Sequence, residues 1–218
     1  MKIFAHTNRG FSLVEMAVVL VIVGLLIAGL ALPLTAQIDM KHYNETQKEL
    51  SDLREALIGY ALSNTALDGK PHLPCPDTDL DGFENREATG LCTNIESDVP
   101  WATLGLGQSD NWSNAYRYRV TSAFANSTTG FTLSTPRDIL ILEKAGGNML
   151  ASNVPAVLLS KGKNGFGAGA DEQENSDGDA IFVSHTPTNV AGNEFDDLVV
   201  WVPAAVLFNR MVTAGKLP

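Results

Sequence analysis

The chain is poor in cysteine, histidine, aromatic side chains and positive charge. Its 218 residues include two cysteines, four histidines and 7% aromatics, with 15 basic against 25 acidic residues and a formal net charge of −10. That deficit of basic residues sets up a field that repels phosphate, which counts against general binding of nucleic acid or anionic lipid. No G-x-S-x-G, no Walker sequence and no H-E-x-x-H occurs, so the usual signatures of serine hydrolases, nucleotide hydrolases and zinc proteases are missing. Gly165, Gly167 and Gly169 are evenly spaced, which is not the dinucleotide fingerprint. His6, His42, His72 and His185 are scattered. Ser160 and Lys161 are adjacent, and neighbours on a strand point to opposite faces. The expectation is a protein that is not an enzyme. No internal repeat is present. One further absence is local: from Met16 to Leu34, nineteen positions carry no charge.

What is present suffices for a folded domain. Hydrophobic residues make up 44% and charged residues 18%, which supports a packed core. The length suits one ordinary domain plus an extension, or two small domains. The uncharged run, at about 1.5 Å per residue, nearly matches the roughly 30 Å hydrocarbon core of a bilayer. Lys2 and Arg9 precede it, which places the N-terminus in the cytoplasm and everything beyond Leu34 outside the inner membrane. A secretory signal peptide fits less well, because its apolar core is shorter and Leu32-Pro33-Leu34-Thr35 is a poor cleavage site. A plain signal anchor leaves Glu15 unexplained, since a carboxylate at the edge of an apolar segment is costly and marks function.

The residues around Glu15 carry a resemblance. Gly10-Phe11-Ser12-Leu13-Val14-Glu15 resembles the cleavage and methylation site of type IV pilins and type II secretion pseudopilins. The resemblance implies that a prepilin peptidase cuts between Gly10 and Phe11 and methylates the new amine of Phe11. It implies that Glu15 pairs with the amine of a neighbouring subunit during filament assembly. Each charge alone is costly in an apolar core, and breaking such a pair costs about 3–5 kcal/mol. The removed leader takes two of the 15 basic residues and no acid, leaving 13 basic against 25 acidic residues. Gly24, Gly29 and Pro33 weaken the apolar helix. They mark either a segment that loosens on assembly, as the resemblance suggests, or a kink at the membrane exit.

Four segments follow: a cytoplasmic leader at 1–10, a transmembrane and filament-core helix at 11–34, its amphipathic continuation at 35–63, and a periplasmic globular head at 64–218. In the continuation, Leu50, Leu53, Leu57, Tyr60 and Ala61 recur at helical spacing and form a stripe for packing on the head. Lys41, Glu45, Lys48, Glu49 and Arg54 lie mostly off it. Straight, residues 11–63 would extend about 80 Å. In the head, alternation or apolar runs predict strands at Tyr116–Val120, Phe131–Ser134, Asp138–Leu142, Ala156–Ser160, Ala180–Ser184 and Leu198–Val202. Pro203 suits a helix start and Gly215 its stop, with Leu207, Met211 and Ala214 on one apolar face. The expected class is α+β: a long N-terminal helix, half of it transmembrane, packed on a mostly antiparallel sheet, with a short C-terminal helix.

The segment from Pro74 to Cys92 also resembles one found in pilin-like proteins. In a periplasmic head Cys75 and Cys92 are expected to form a disulfide, stabilising by roughly 3 kcal/mol for a loop of this size. Asp77, Asp79 and Asp81 alternate before Gly82, as in the start of a calcium-binding EF-hand loop, but Ala88 stands where the bidentate glutamate belongs. A solvated acidic turn is the alternative and the preferred reading. By resemblance to pseudopilins that bind calcium late in the chain, Asp171, Glu174, Asp177 and Asp179 form a second candidate set, again with a mobile solvated loop preferred. Calcium is the one cofactor these patterns suggest.

The functional expectation is a pilin-like subunit of a type IV pilus or a type II secretion pseudopilus, drawn into a helical filament from the inner membrane. The partners implied are the prepilin peptidase, other pilins or pseudopilins, and the inner-membrane assembly platform with its ATPase. The rival expectation is a binding module, an adhesin or DNA-uptake minor pilin, with Arg117, Arg119, Lys161 and Lys163 as its basic patch.

Overall fold

A computed structural model describes residues 10–218 except 166 and 168, and for residues 29–34 the backbone alone. Apart from Gly10, the expected leader therefore lies outside the described residues, as does the ring of Pro33. Helix α1 spans Leu13–Ser63 as one element. The chain divides into two compact units, one ending at His42 and the other running from Tyr43 to Pro218.

In the first unit, apolar side chains from Phe11 to Ile27 are exposed. Among the described residues no helix is long and apolar enough to cross a membrane. The transmembrane half expected of the long helix at 11–34 is thus not shown, and its last six residues are described by backbone alone.

The second unit is α+β. After α1 come β1 (Glu96–Asp98), α2 (Trp101–Leu104), β2 (Arg117–Val120), β3 (Ile139–Leu142), β4 (Met149–Val154), β5 (Ala156–Ser160), α3 (Ala170–Glu174), β6 (Ile181–Val183), β7 (Thr188–Val190), β8 (Asn193–Phe195), β9 (Leu198–Val202) and α4 (Ala204–Thr213). One sheet has the order β1-β2-β5-β9 and is antiparallel throughout. A second has the order β4-β3-β6, with β3 and β4 antiparallel but β3 and β6 parallel. Strands β7 and β8 form a separate hairpin.

The core explains which strands were readable. Leu50, Leu53, Leu57, Ile58 and Ala61 of α1 are buried with Tyr118, Val120, Ala156, Leu158, Val200, Val202, Leu207 and Met211. The opposite face of the same sheet, Val157, Leu159 and Val199, packs with Ile139, Ile141, Val154 and Phe182 of the second sheet. Strand β5 is thus buried on both faces, and a strand so placed reads as a continuous apolar run rather than an alternation. In α4, Leu207 and Met211 are buried as expected; just beyond its end Ala214 is exposed and Leu217 is buried.

One expected strand is absent. At Phe131–Ser134, Phe131 is buried and stacks on Phe124 with ring centroids 4.8 Å apart. The next residues turn, with the Thr132 amide donating to the Thr135 hydroxyl at 2.8 Å and the Thr135 amide to the Thr132 carbonyl at 3.2 Å. Hydroxyl side chains that bond the local backbone compete with strand pairing in this way.

Candidate functional site

The N-terminal segment is built by one local device. The Ser12 amide donates to Glu15 Oε2 at 2.8 Å, and the Glu15 amide donates to Ser12 Oγ at 3.2 Å. This reciprocal pair is a capping box, which satisfies amides that a helix start leaves without partners. It fixes the start of α1 at Leu13 and leaves Gly10-Phe11 ahead of it outside the helix. Phe11 is 79% exposed, and among the described residues nothing lies within 4 Å of the Gly10 position where a side chain would stand. Among the described residues the Gly10–Phe11 peptide is therefore uncovered. Sequence reasoning singled out Gly10, Phe11 and Glu15 but passed over Ser12, although the S-x-x-E spacing was there to be read.

Cys75 and Cys92 are joined by a disulfide with Cα atoms 5.2 Å apart. Within the loop it closes, the three aspartates come together, one carboxylate oxygen of each lying within 4.8 Å of the others. Asp77 is buried and turned to the loop's own backbone: Oδ1 accepts the amides of Asp79 and Leu80, and Oδ2 accepts that of Gly82 at 2.7 Å. Asp81 accepts the Phe83 amide at 2.8 Å. Glu84, the nearest glutamate to this group, faces inward. It accepts the Tyr60 hydroxyl and the Cys75 amide, each at 2.8 Å, and pairs with Arg86 at 2.6 Å. These carboxylates hold the loop's fold.

The second acidic set divides. Glu174, Asp177 and Asp179 stay together, and burial, ahead of these neighbouring charges, raises the Glu174 pKa. Asp171 stands apart, with Oδ1 accepting the Ala145 amide at 2.6 Å and Oδ2 facing His185 Nε2 at 3.1 Å. A third set was not foreseen: Glu172, Asp196 and Asp197 converge, again with one oxygen of each within 4.8 Å of the others. Burial, ahead of the charges of Glu172 and Asp196, pushes Asp197 up to about 7, against the pull of Asn175 and Lys161. Burial likewise pushes Asp196 up to about 6, ahead of Glu172 and Asp110 and against the amides of Asn164 and Lys163. The sequence signal was two adjacent acids inside the apolar stretch Phe195-Asp196-Asp197-Leu198.

The basic patch of the rival reading is partly consumed. Arg117 pairs with Asp98 at 3.4 Å, and Arg119, 8% exposed, pairs with Glu96 at 2.8 Å and donates to the Gly178 carbonyl. Both arginines thus face the acids of β1, which weakens their call on a phosphate backbone.

Residues 6–31 match the family described as "Prokaryotic N-terminal methylation motif", the signature of type IV pilins and pseudopilins. That family is one of structural, pilin-type proteins rather than of enzymes. No curated protein and no solved structure matches the chain.

Proposed function

We propose that this chain, which carries the N-terminal methylation motif, is the precursor of a pilin-like subunit of a type IV pilus or type II secretion pseudopilus. Prepilin peptidase hydrolyses the Gly10–Phe11 peptide, leaving a carboxylate on Gly10 and an amine on Phe11, and moves a methyl group to that amine from a sulfonium methyl donor, which leaves as a thioether while the amine gives up a proton. The mature chain rests in the inner membrane through its apolar helix, with the head in the periplasm, until the assembly platform and its ATPase draw it into the filament.

The observation that carries this reading is the motif match over residues 6–31, which contains the cut site, Glu15 and the start of the apolar run. The local geometry supports it. The scissile bond lies outside α1 and is exposed, and Glu15 has a partner of its own in the Ser12 amide. Before assembly that bond offsets part of the cost of a carboxylate in an apolar setting. On assembly the methylated amine of a neighbouring Phe11 supplies the counter-charge, so a subunit out of register leaves both charges unpaired.

The test is to express the chain with and without a prepilin peptidase and weigh its N-terminus. The expected product begins at Phe11 and carries one added methyl group; an intact leader in the presence of the peptidase would overturn the reading. Glu15→Ala should still be cleaved and held in the membrane, yet enter filaments on the order of a hundredfold less readily, the equivalent of about 3 kcal/mol. Filaments at parental yield would dismiss the pairing role of Glu15.

A further inference from the structure

Strand β9 ends its sheet, and its outer side carries no other strand among the described residues. Which of its backbone groups face outward follows from the ladder. The Thr121 amide donates to the Pro155 carbonyl at 2.9 Å. Arg119–Val157 and Arg117–Leu159, alternate pairs in the same register, are therefore the bonded pairs between β2 and β5. Ala156, Leu158 and Ser160 then turn their backbone groups to β9, where they meet Val202, Val200 and Leu198. Val199 and Trp201 turn theirs outward. Among the described residues the outward amides and carbonyls of these two make no hydrogen bond. Two other edges are blunted. Asp98 of β1 exchanges backbone bonds with Asp77 at 2.9 and 3.1 Å, and β4 shifts register against β3 and holds Asn153 at φ 53. From Leu198 to Val202, β9 has no charge, no proline and no shift in register, the devices that ordinarily close an edge to another chain.

That edge lines an open groove of about 570 Å³. Leu198, Val199, Val200 and Trp201 all line it. Neighbouring side chains on a strand point to opposite faces, so what the four share is the backbone edge. Tyr43 and Arg54 of α1 line it too. They stand about three turns apart, roughly 16 Å of helix, and a strand as long as β9 extends about 17 Å. The groove thus has the length of a strand of about five residues. The charges that line it are Arg54, His185 and Asp197. Asp197 is 5% exposed and accepts the Asn175 side chain at 2.9 Å, and His185 faces Asp171 at 3.1 Å. The Arg54 side chain is 31% exposed and lies 3.5 Å from Glu55, a surface pair of little worth. The accessible charge of the groove is therefore positive, on a chain whose net charge is −10.

We propose that this groove takes an extended segment of a partner polypeptide as a fifth strand beside β9. The segment's backbone bonds the outward groups of Val199 and Trp201, using the amide and carbonyl of every second residue. Its side chains are β-branched or aromatic, because they lie beside Val199, Trp201 and Tyr43. One acid of the segment pairs with Arg54, whereas a run of acids is repelled by the field of the whole chain. Backbone bonds supply the affinity and side chains the specificity. A single extended chain suits the groove better than the folded edge of a second copy, since α1 and residues 184–186 line it beside β9.

The test selects displayed random heptapeptides on the full chain in detergent, with chain-free micelles as the control. Selected peptides should be rich in β-branched or aromatic residues and carry an acid; selection on Arg54→Glu should replace that acid by a base. Methylating the peptide's backbone amides at one alternate set of positions should weaken binding by about tenfold, and at the other set by less than about twofold. On binding, the Val199 and Trp201 amides should exchange about tenfold more slowly, with Leu198 and Val200 unchanged. Val199→Pro removes an outward donor and no ladder bond, so it should weaken binding about tenfold at an unchanged melting temperature. No enrichment over the control, equal loss from methylating either set, protection without the alternation, parental binding by folded Val199→Pro, or a selection unchanged by Arg54→Glu would each overturn the fifth strand. So would parental dimers that Val199→Pro separates, which would give the edge to a second copy. Should Val199→Pro not fold, the methylated peptides decide by the same criteria.

Discussion

Ser12 and Glu15 show how much two side chains settle at one end of a helix. Their reciprocal bonds give the helix its first residue and keep the Gly10–Phe11 peptide out of it. Removing the hydroxyl in Ser12→Ala should cost the helix start about 1 kcal/mol. The expected readout is exchange of the Glu15 and Met16 amides faster by about fivefold in detergent-held protein, with Ser12→Thr restoring the parental rate. Equal rates in Ser12→Ala and parent would show that the box does not hold the first turn. At this scale the sequence was legible where chemistry is local. Glu15 stood out as the acid beside an uncharged run, and Cys75 and Cys92 as a pair. Asp171 was misgrouped because its partners, Ala145 and His185, come from other elements. Glu172 and Asp196 escaped notice because 24 residues separate them, and only the fold brings them within one hydrogen bond.

Elements were legible in proportion to how they are buried. The stripe Leu50, Leu53, Leu57 and Ala61 reads plainly because one face of α1 meets the sheet along its whole apolar width. Strands β5 and β9 read as apolar runs because both their faces are covered. Strands β1, β7 and most of β4 face solvent or stand half-exposed, so no apolar pattern was needed and none announced them. Phe131 produced the opposite error, since one buried ring beside a threonine-rich turn imitates the start of an alternation. Leu57 is completely buried in the main core, and Leu57→Ala should cost about 2–5 kcal/mol. For a chain of this size that lowers the melting temperature by roughly 5–15 °C, measurable by circular dichroism on the purified full chain. A change below a degree would mean that the helix stripe is not what secures the head.

For the molecule as a whole, the layout has a consequence in time. The residues that close the head come late in the chain. Leu198, Val200 and Val202 of β9 and Leu207 and Met211 of α4 complete the core that Leu50, Leu53 and Leu57 begin, and Val199 completes the second cluster. Strand β9 pairs with β5 from Ala156↔Val202 to Ser160↔Leu198, so the sheet too waits for it. Contacts this distant along the chain form late and slowly. A head made N-terminus first stays open, with its apolar faces unpaired, until β9 and α4 have emerged, whereas the Cys75–Cys92 loop, closing over a sequence separation of 17, can form well before. Chains ending before Leu198 should therefore form that disulfide yet be cut by protease at least tenfold faster than the full chain. An arrested chain of that length with parental resistance would show that the head folds without its last strand. Until that strand arrives the polypeptide keeps its apolar faces open, which is the state in which an unfinished chain is most exposed to aggregation.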